Sequence, residues 1–376
     1  MSEKYIKFAP GIEYIEPDFD QKVERITAEI KTFISKSKQQ SGGKYATRDA
    51  HAKGYGVAKA EFEVLGNLPP EFAQGLYAKP GKYEAVLRFS NGSAKVLADA
   101  SSGLAMGIAI KIFGVEGQNL LEDEADSRNF DYNMINWPVF FCNSAEHYLY
   151  IDRIFLKVNE YFAKGTAGKL KLFYDWMTGF GKFFPNREAW KEFKAFSSFQ
   201  KIKPHNTLLH TFYTMGAVRH GDYIAKLRVT PVKEYADLIT RRNIDVNAAA
   251  QVFRPAIAAE LQEHAYEFDI QVQLCTDLKK MPVEDLTKEW PEELSPFVTI
   301  GKIRIPQQDI TAEKNDELME HLSFTPFRCL EENRPMGNLQ LTRKEAYRTS
   351  SRLRHQLNNK ERKEAQNLQE LFNMPG

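Results

Sequence analysis

Leu341-Thr-Arg-Lys-Glu-Ala-Tyr-Arg-Thr-Ser-Ser-Arg-Leu-Arg354 sets Arg343, Tyr347 and Arg354 at intervals of four and seven residues. In a helix of 3.6 residues per turn those intervals stack the three side chains in one stripe. A guanidinium beside a phenol favours the tyrosinate, because fixed positive charge stabilises the anion. Phenolate oxygen is a ligand for ferric iron beneath a haem. Arg354, almost two turns further on, is then in reach of a haem propionate as a bidentate partner. The competing reading is a solvated basic helix with an incidental tyrosine, and the stretch alone favours it. The rest of the chain reverses that preference.

Working back from this helix, four strand-like segments end in Pro-, Gly- and Asn-bearing turns: Ala60–Leu65, Tyr83–Ser90, Leu104–Phe113 and Phe130–Cys142. Strand patterns return at 207–215, 222–230, 265–275 and 297–305, with a helix expected at 246–263. Strands at this spacing predict a barrel or sandwich. Residues 18–39 carry Val23, Ile26, Ile30, Phe33 and Ile34 at helical spacing and stop at Gly42-Gly43, which predicts an amphipathic arm helix. Between the two sets of strands, Tyr148, Ile151, Ile154, Phe155, Val158 and Phe162 share a helical face, and an aromatic-rich helix follows through Phe173, Trp176 and Phe180. Lys and Glu punctuate this block, so it reads as a helical insertion packed on the barrel rather than a membrane-surface segment. The expected organisation is an arm and helix over 1–43, a barrel domain over 44–354 with the insertion at 145–203, and a helical tail over 355–376.

Composition narrows the class of function. In 376 residues, 51 Lys and Arg balance 50 Asp and Glu, so net charge makes no case for nucleic acid. No stretch approaches the ~20 apolar residues of a membrane span, so stable membrane insertion is not expected. The first residues are mixed and charged, with no apolar run of a secretory signal. Cys142, Cys275 and Cys329 are scattered and odd in number, against a disulfide framework or zinc site. A cytoplasmic protein, assembling as a homo-oligomer with a dimer favoured, is the expectation.

Most of the eight histidines have no neighbour that gives them a task. His51 is the exception: it lies in Arg48-Asp-Ala-His-Ala-Lys-Gly54, where Gly54 and Gly56 let the backbone turn before a strand. Held beside a cavity, it is a candidate general base near neutral pH. Arg88 and Ser90 fall on one face of the strand that follows. Asp131-Tyr-Asn-Met-Ile-Asn-Trp-Pro-Val-Phe-Phe141 adds two asparagines before an aromatic pair.

In these segments the chain resembles the haem catalases and their smaller catalase-related relatives. Arg48-x-x-His51-Ala-Lys-Gly54 is similar to the distal-histidine motif, and Arg88-Phe89-Ser90 to the strand carrying a propionate arginine and a serine. Ser102-Gly103-Leu104-Ala105, Pro138-Val-Phe-Phe141, His210-Thr-Phe212 and Trp290-Pro291 followed by Gly301-Lys302 match further motifs in order. Arg343-x-x-x-Tyr347 followed by Arg354 reproduces the proximal spacing. The resemblance spans roughly residues 45–354. It implies an α+β protein with a catalase-like antiparallel β-barrel, an N-terminal arm helix, a helical insertion and a C-terminal haem-ligating helix. It also implies haem b, with Tyr347 as iron ligand, Arg343 keeping it anionic, and Arg48, Arg88 and Arg354 on propionates. His51 becomes the distal acid–base, oriented by Ser90. For the distal asparagine, an ungapped match lands on Ile135; Asn136 is the first choice if the strand bulges, and Asn133 the fallback.

Three departures bear on activity. Gly337 stands six residues before Arg343, where the resemblance calls for Asp, so a relay through His210 lacks its carboxylate. Ala50 precedes His51 where a larger residue is usual, and the long C-terminal extension of full-size catalases is missing. They point to the small branch, whose chemistry ranges from hydrogen peroxide disproportionation and peroxidase-type oxidation of organic donors to rearrangement of fatty-acid hydroperoxides. A haem carrier without turnover has no need of His51.

Overall fold

The computed structural model describes residues 4–373. Its strands are β1 (Gly54–Val64), β2 (Gly81–Asn91), β3 (Met106–Ile112), β4 (Phe130–Ile135), β5 (Phe212–Thr214), β6 (Val218–His220), β7 (Tyr223–Pro231), β8 (Tyr266–Leu274) and β9 (Val298–Ile305). Eight of them close into an antiparallel barrel in the order β5-β4-β3-β2-β1-β9-β8-β7, and the pairing of β5 with β7 completes the ring. The short β6 is added to β7. Closure removes the unpaired edges that an open sheet of this size would expose.

Alternation along each strand divides the side chains between the two faces. Phe62, Leu87, Phe89, Ile108, Ile110, Phe130, Tyr132, Leu227, Phe268 and Ile303 point inward and fill the barrel. The opposite face of β2, β3 and β4 is also buried, which is why β3 is apolar or small at almost every position. What buries that outer face is helical. The arm helix α1 (Phe19–Ser37) and the insertion helices α2 (Ala145–Leu156), α3 (Val158–Ala163), α4 (Gly165–Thr178) and α5 (Arg187–Ser198) precede the second half of the barrel. α6 (Lys233–Ala236), α7 (Phe253–Glu263), α8 (Glu313–His321), α9 (Asn338–Leu357) and α10 (Leu368–Asn373) follow. α1 packs along α9 through Ile26, Ile30, Ala346 and Leu353, while the insertion forms its own aromatic core around Trp176, Phe141, Phe155 and Phe196.

Sequence expectation and structure part at the ends of elements. The strand expected over Phe130–Cys142 stops at Ile135, because the Asn136 side chain turns back onto backbone and Pro138 cannot donate to a ladder. The segment before β5 is a short helical turn, with the Asn206 side chain accepting from the Leu208 amide at 3.1 Å. The helix expected from 246 begins at Phe253, where Asp99 accepts from the amides of Val252 and Phe253 at 2.7 and 3.2 Å.

The C-terminal part is tied down by charge. Arg328, fully buried, forks onto Glu124 at 2.6 and 3.1 Å and also pairs with Asp131 and with Glu364 at 2.9 Å. Lys111 joins Asp131 at 2.8 Å and Glu364 at 3.2 Å. Those positive charges pull the Glu364 pKa down to about 2 despite its burial.

Candidate active site

A pocket lies between the outer wall of the barrel and α9, under the arm helix. Its floor is two rows running across three strands. Ser90 of β2 faces Gly107 of β3, which faces Ile135 of β4; beside them Arg88 faces Ala109, which faces Asn133. The middle residue of each row is small, which opens space over β3. Ile26 and Ile30 of α1, Phe140, Tyr148 and Leu339 supply apolar walls.

On the barrel side, the turn before β1 presents His51 with φ +54°, a left-handed conformation in which a branched or bulky side chain is costly. Its Nδ1 lies 3.1 Å from Ser90 Oγ. Ser90 Oγ donates to the Gly107 carbonyl at 3.4 Å. It therefore accepts from Nδ1–H, an assignment that leaves the imidazole lone pair on Nε2. Burial, and then the charges of Arg88, Arg343 and Arg48, lower the His51 pKa to about 4. The ring is neutral at physiological pH and is a weaker base than the near-neutral one that the sequence led us to expect.

On the opposite side, α9 carries Arg343 and Tyr347 one turn apart, with Arg343 Nη2 donating to Tyr347 Oη at 3.2 Å. Gln340, a turn earlier, accepts from Arg343 Nη1 at 2.6 Å and so aims the guanidinium. α9 is preceded by its N-cap Gly337, whose φ of +98° is glycine territory and whose missing Cβ would stand 3.2 Å from both Glu284 Oε2 and the Val283 carbonyl. The Gly337 and Asn338 amides donate to Glu13 at 2.9 Å and Glu284 at 2.7 Å, placing carboxylates at the positive end of the helix. Ser350, further along α9, donates to Asp49. That bond fixes α9 against the turn that holds His51.

Three guanidiniums gather at one end of the pocket. Arg48 donates to the Leu322 carbonyl at 2.6 Å, Arg88 to the carbonyls of Met319 at 3.2 Å and His51 at 3.1 Å, and Arg354 to those of Glu320 and Leu322. Among the described residues, Glu320 is the carboxylate paired with this trio, 3.5 Å from Arg48. Arg354 Nε, though buried, has no partner. Burial lowers all three pKa values, Arg88 to about 9, and repulsion from Arg48 adds to the effect at Arg88 and Arg354. Arginine keeps its proton in proteins. The cluster is thus short of anions, and a ligand bearing two carboxylates would neutralise it. With a phenol–guanidinium pair on one side and an imidazole on the other, the donor set fits a haem, which Arg48, Arg88 and Arg354 would hold by its carboxylates.

The sequence profile of the catalase family matches residues 25–361. The chain belongs to the catalase family. It is therefore an oxidoreductase that acts on peroxide. Catalases also share its fold. A fungal catalase superposes with TM-score 0.61 at 15% identity, over 95% of this chain and 68% of that one. Catalase A from Saccharomyces cerevisiae gives 0.60 at 18% identity, over 95% and 70%, and a bacterial catalase 0.58 at 14%, over 97% and 67%. No curated protein matches the chain in sequence.

Within this catalase fold, the expected distal asparagine needs correcting. Asn136 does not reach the pocket: its Oδ1 accepts from the Met106 amide at 2.8 Å and its Nδ2 donates to the Leu104 carbonyl at 3.1 Å. β4 pairs with β3 in unbroken register from Ile112↔Phe130 to Gly107↔Ile135, so the bulge that Asn136 required is missing. Parity puts Asn133 and Ile135 on the pocket wall instead, and Asn133 Oδ1 is buried without a partner. His51, Ser90, Arg48, Arg88, Arg343, Tyr347 and Arg354 all line the pocket. Four contributors escaped the sequence reading: Gly107, Gln340, Asp49 and Ser350. Of these only Gln340 was detectable, three residues before Arg343 on the same helical face. His210 stands apart from the pocket, its Nε2 buried without a partner.

Proposed function

We propose that this chain is a catalase-like haem b peroxidase, and the observation that carries the reading is the anion-short trio Arg48, Arg88 and Arg354 beside the Arg343–Tyr347 pair. Tyr347 Oη would be the iron ligand, with the Arg343 guanidinium, which Gln340 orients, donating to it. The three arginines would hold the two propionates. His51 Nε2 takes the proton from the inner oxygen of a peroxide and returns it to the outer oxygen, which leaves as water; Ser90 holds the tautomer that makes this possible. Asn133 is the distal amide. Haem, when bound, supplies the two electrons that O–O heterolysis demands, and a second peroxide or an organic donor restores them.

The apolar wall of Ile26, Ile30, Phe140 and Leu339 supports a second substrate class, organic hydroperoxides with an alkyl chain, cleaved at the same centre. One comparison tests both readings: the haem-loaded protein is assayed with hydrogen peroxide, with an unsaturated fatty-acid hydroperoxide and with organic donors. Tyr347→Phe should lose ferric ligation. An unchanged Soret spectrum and haem content in that variant would refute the ligand assignment.

A further inference from the structure

The sequence favoured an insertion packed on the barrel over a membrane-surface segment, yet the helical insertion also faces solvent with a surface that packing leaves uncovered. Its inner side is the aromatic core around Trp176. Its outer side exposes Leu170, Phe173 and Tyr174, at i, i+3 and i+4 on α4, to 66, 37 and 56%. Trp190 of α5 adds an indole 52% exposed, 6.2 Å from the Phe173 ring. Phe184, in the turn between α4 and α5, is 90% exposed. That turn adjoins the same patch, since the Gly181 Cβ position is 3.7 Å from Tyr174 Oη. Single exposed apolar residues are ordinary, but a run of five across two neighbouring helices marks an interaction surface.

Charge identifies the partner. Residues 157–203 hold ten lysines and arginines against four carboxylates, although the whole chain is nearly neutral at +1. The bases flank the apolar residues: Lys169 adjoins Leu170, and Arg187 and Lys194 share the exposed face of α5 with Trp190. Among the described residues, neither these three nor Lys182 has a carboxylate partner. Aromatic and aliphatic side chains bounded by unpaired bases are the chemistry of a segment that lies in the headgroup region of an anionic bilayer. A two-fold contact between copies of this surface would instead oppose two patches of like sign.

We infer that α4, α5 and the turn carrying Phe184 form a docking surface for anionic lipid membranes. The protein binds there peripherally, inserting Phe184 and Trp190 to headgroup depth. No helix among the described residues is long and apolar enough to cross a membrane, and none is required. Docking is independent of the peroxide chemistry, so its failure would leave the haem reading untouched.

The test is co-sedimentation of the haem-loaded protein with phosphatidylcholine vesicles, with and without phosphatidylglycerol. Binding should appear with the anionic lipid, weaken as salt rises, and fall roughly tenfold in Phe184→Ser/Trp190→Ser and in Lys169→Glu/Lys194→Glu. Both variants should keep the wild-type melting temperature and peroxide turnover in solution. Equal binding to both vesicle types, no binding, or binding indifferent to both variants would overturn the inference. So would a Phe184→Ser/Trp190→Ser protein whose sedimentation coefficient shows that an oligomer has come apart, since the patch would then be an interface between copies.

Discussion

Gly107 lies flat against the imidazole of His51: a Cβ at position 107 would stand 2.4 Å from Cε1 and 2.5 Å from Nδ1 of that ring, and 3.1 Å from Ser90 Oγ. Heavy atoms do not approach so closely, and His51 already sits at φ +54°, where the backbone has little freedom to retreat. Gly107→Ala should therefore turn the ring off Ser90 while leaving haem binding intact. Peroxide cleavage is expected to fall about 10²–10⁴-fold, the usual contribution of a positioned proton transfer, and His51→Ala to fall by a similar factor. Stopped-flow rates per bound haem check this. A Gly107→Ala protein of normal rate would remove His51 from the mechanism in this orientation.

The arginine trio predicts opposite effects on the empty and loaded protein. Arg354→Met removes one of three mutually repelling buried charges, so the haem-free variant should melt at a temperature equal to or above that of the haem-free parent. Haem affinity should fall about 10–100-fold, the cost of charge-assisted hydrogen bonds worth ~1.5–3 kcal/mol. Thermal melts of the haem-free pair and transfer of haem to apomyoglobin measure the two effects. Tighter haem binding in the variant would contradict the propionate assignment.

The two asparagines should separate into structure and chemistry. Asn136→Ala leaves the Met106 amide and the Leu104 carbonyl without side-chain partners, a destabilisation of about 1–3 kcal/mol, yet turnover per bound haem should hold. Asn133→Ala deletes an already unpartnered carbonyl oxygen and should change turnover with little effect on stability. Urea denaturation alongside initial rates gives the comparison, and the reverse pattern would restore Asn136 to the site.

Acid should loosen the C-terminal tail through Glu364. Its folded pKa of about 2 lies below the ordinary carboxylate value of 4.5, so its contribution to stability is fully present above about pH 4.5 and is lost as pH falls towards 2. Glu364→Gln should be markedly less stable than the parent at pH 7, and the gap should narrow steadily below pH 4.5. Denaturant midpoints of both proteins between pH 7 and 3 decide it; a constant gap would mean that Glu364 acts through packing rather than charge.

Most of this fold was readable along the chain because its determinants are local. The four-residue interval from Arg343 to Tyr347 places them on one helical face wherever that helix lies, and the two-residue interval from Arg88 to Ser90 does the same for a strand. The ends of the elements were less legible. Asn136 and Asp99 stop or start them by hydrogen bonds to backbone that is remote in sequence, which no periodicity records. The site divides in the same way. Spacing along the chain put Arg343, Tyr347 and Arg354 on one helical stripe and Arg88 and Ser90 on one strand face, while the roles proposed for these residues and for Arg48 and His51 came from the resemblance to catalases. Only the tertiary structure decided that Asn133 and not Asn136 reaches the pocket, that Gly107 makes room for His51, and that Ser350 binds Asp49, because each depends on strand register or on contacts between segments that the chain brings together only when the barrel closes.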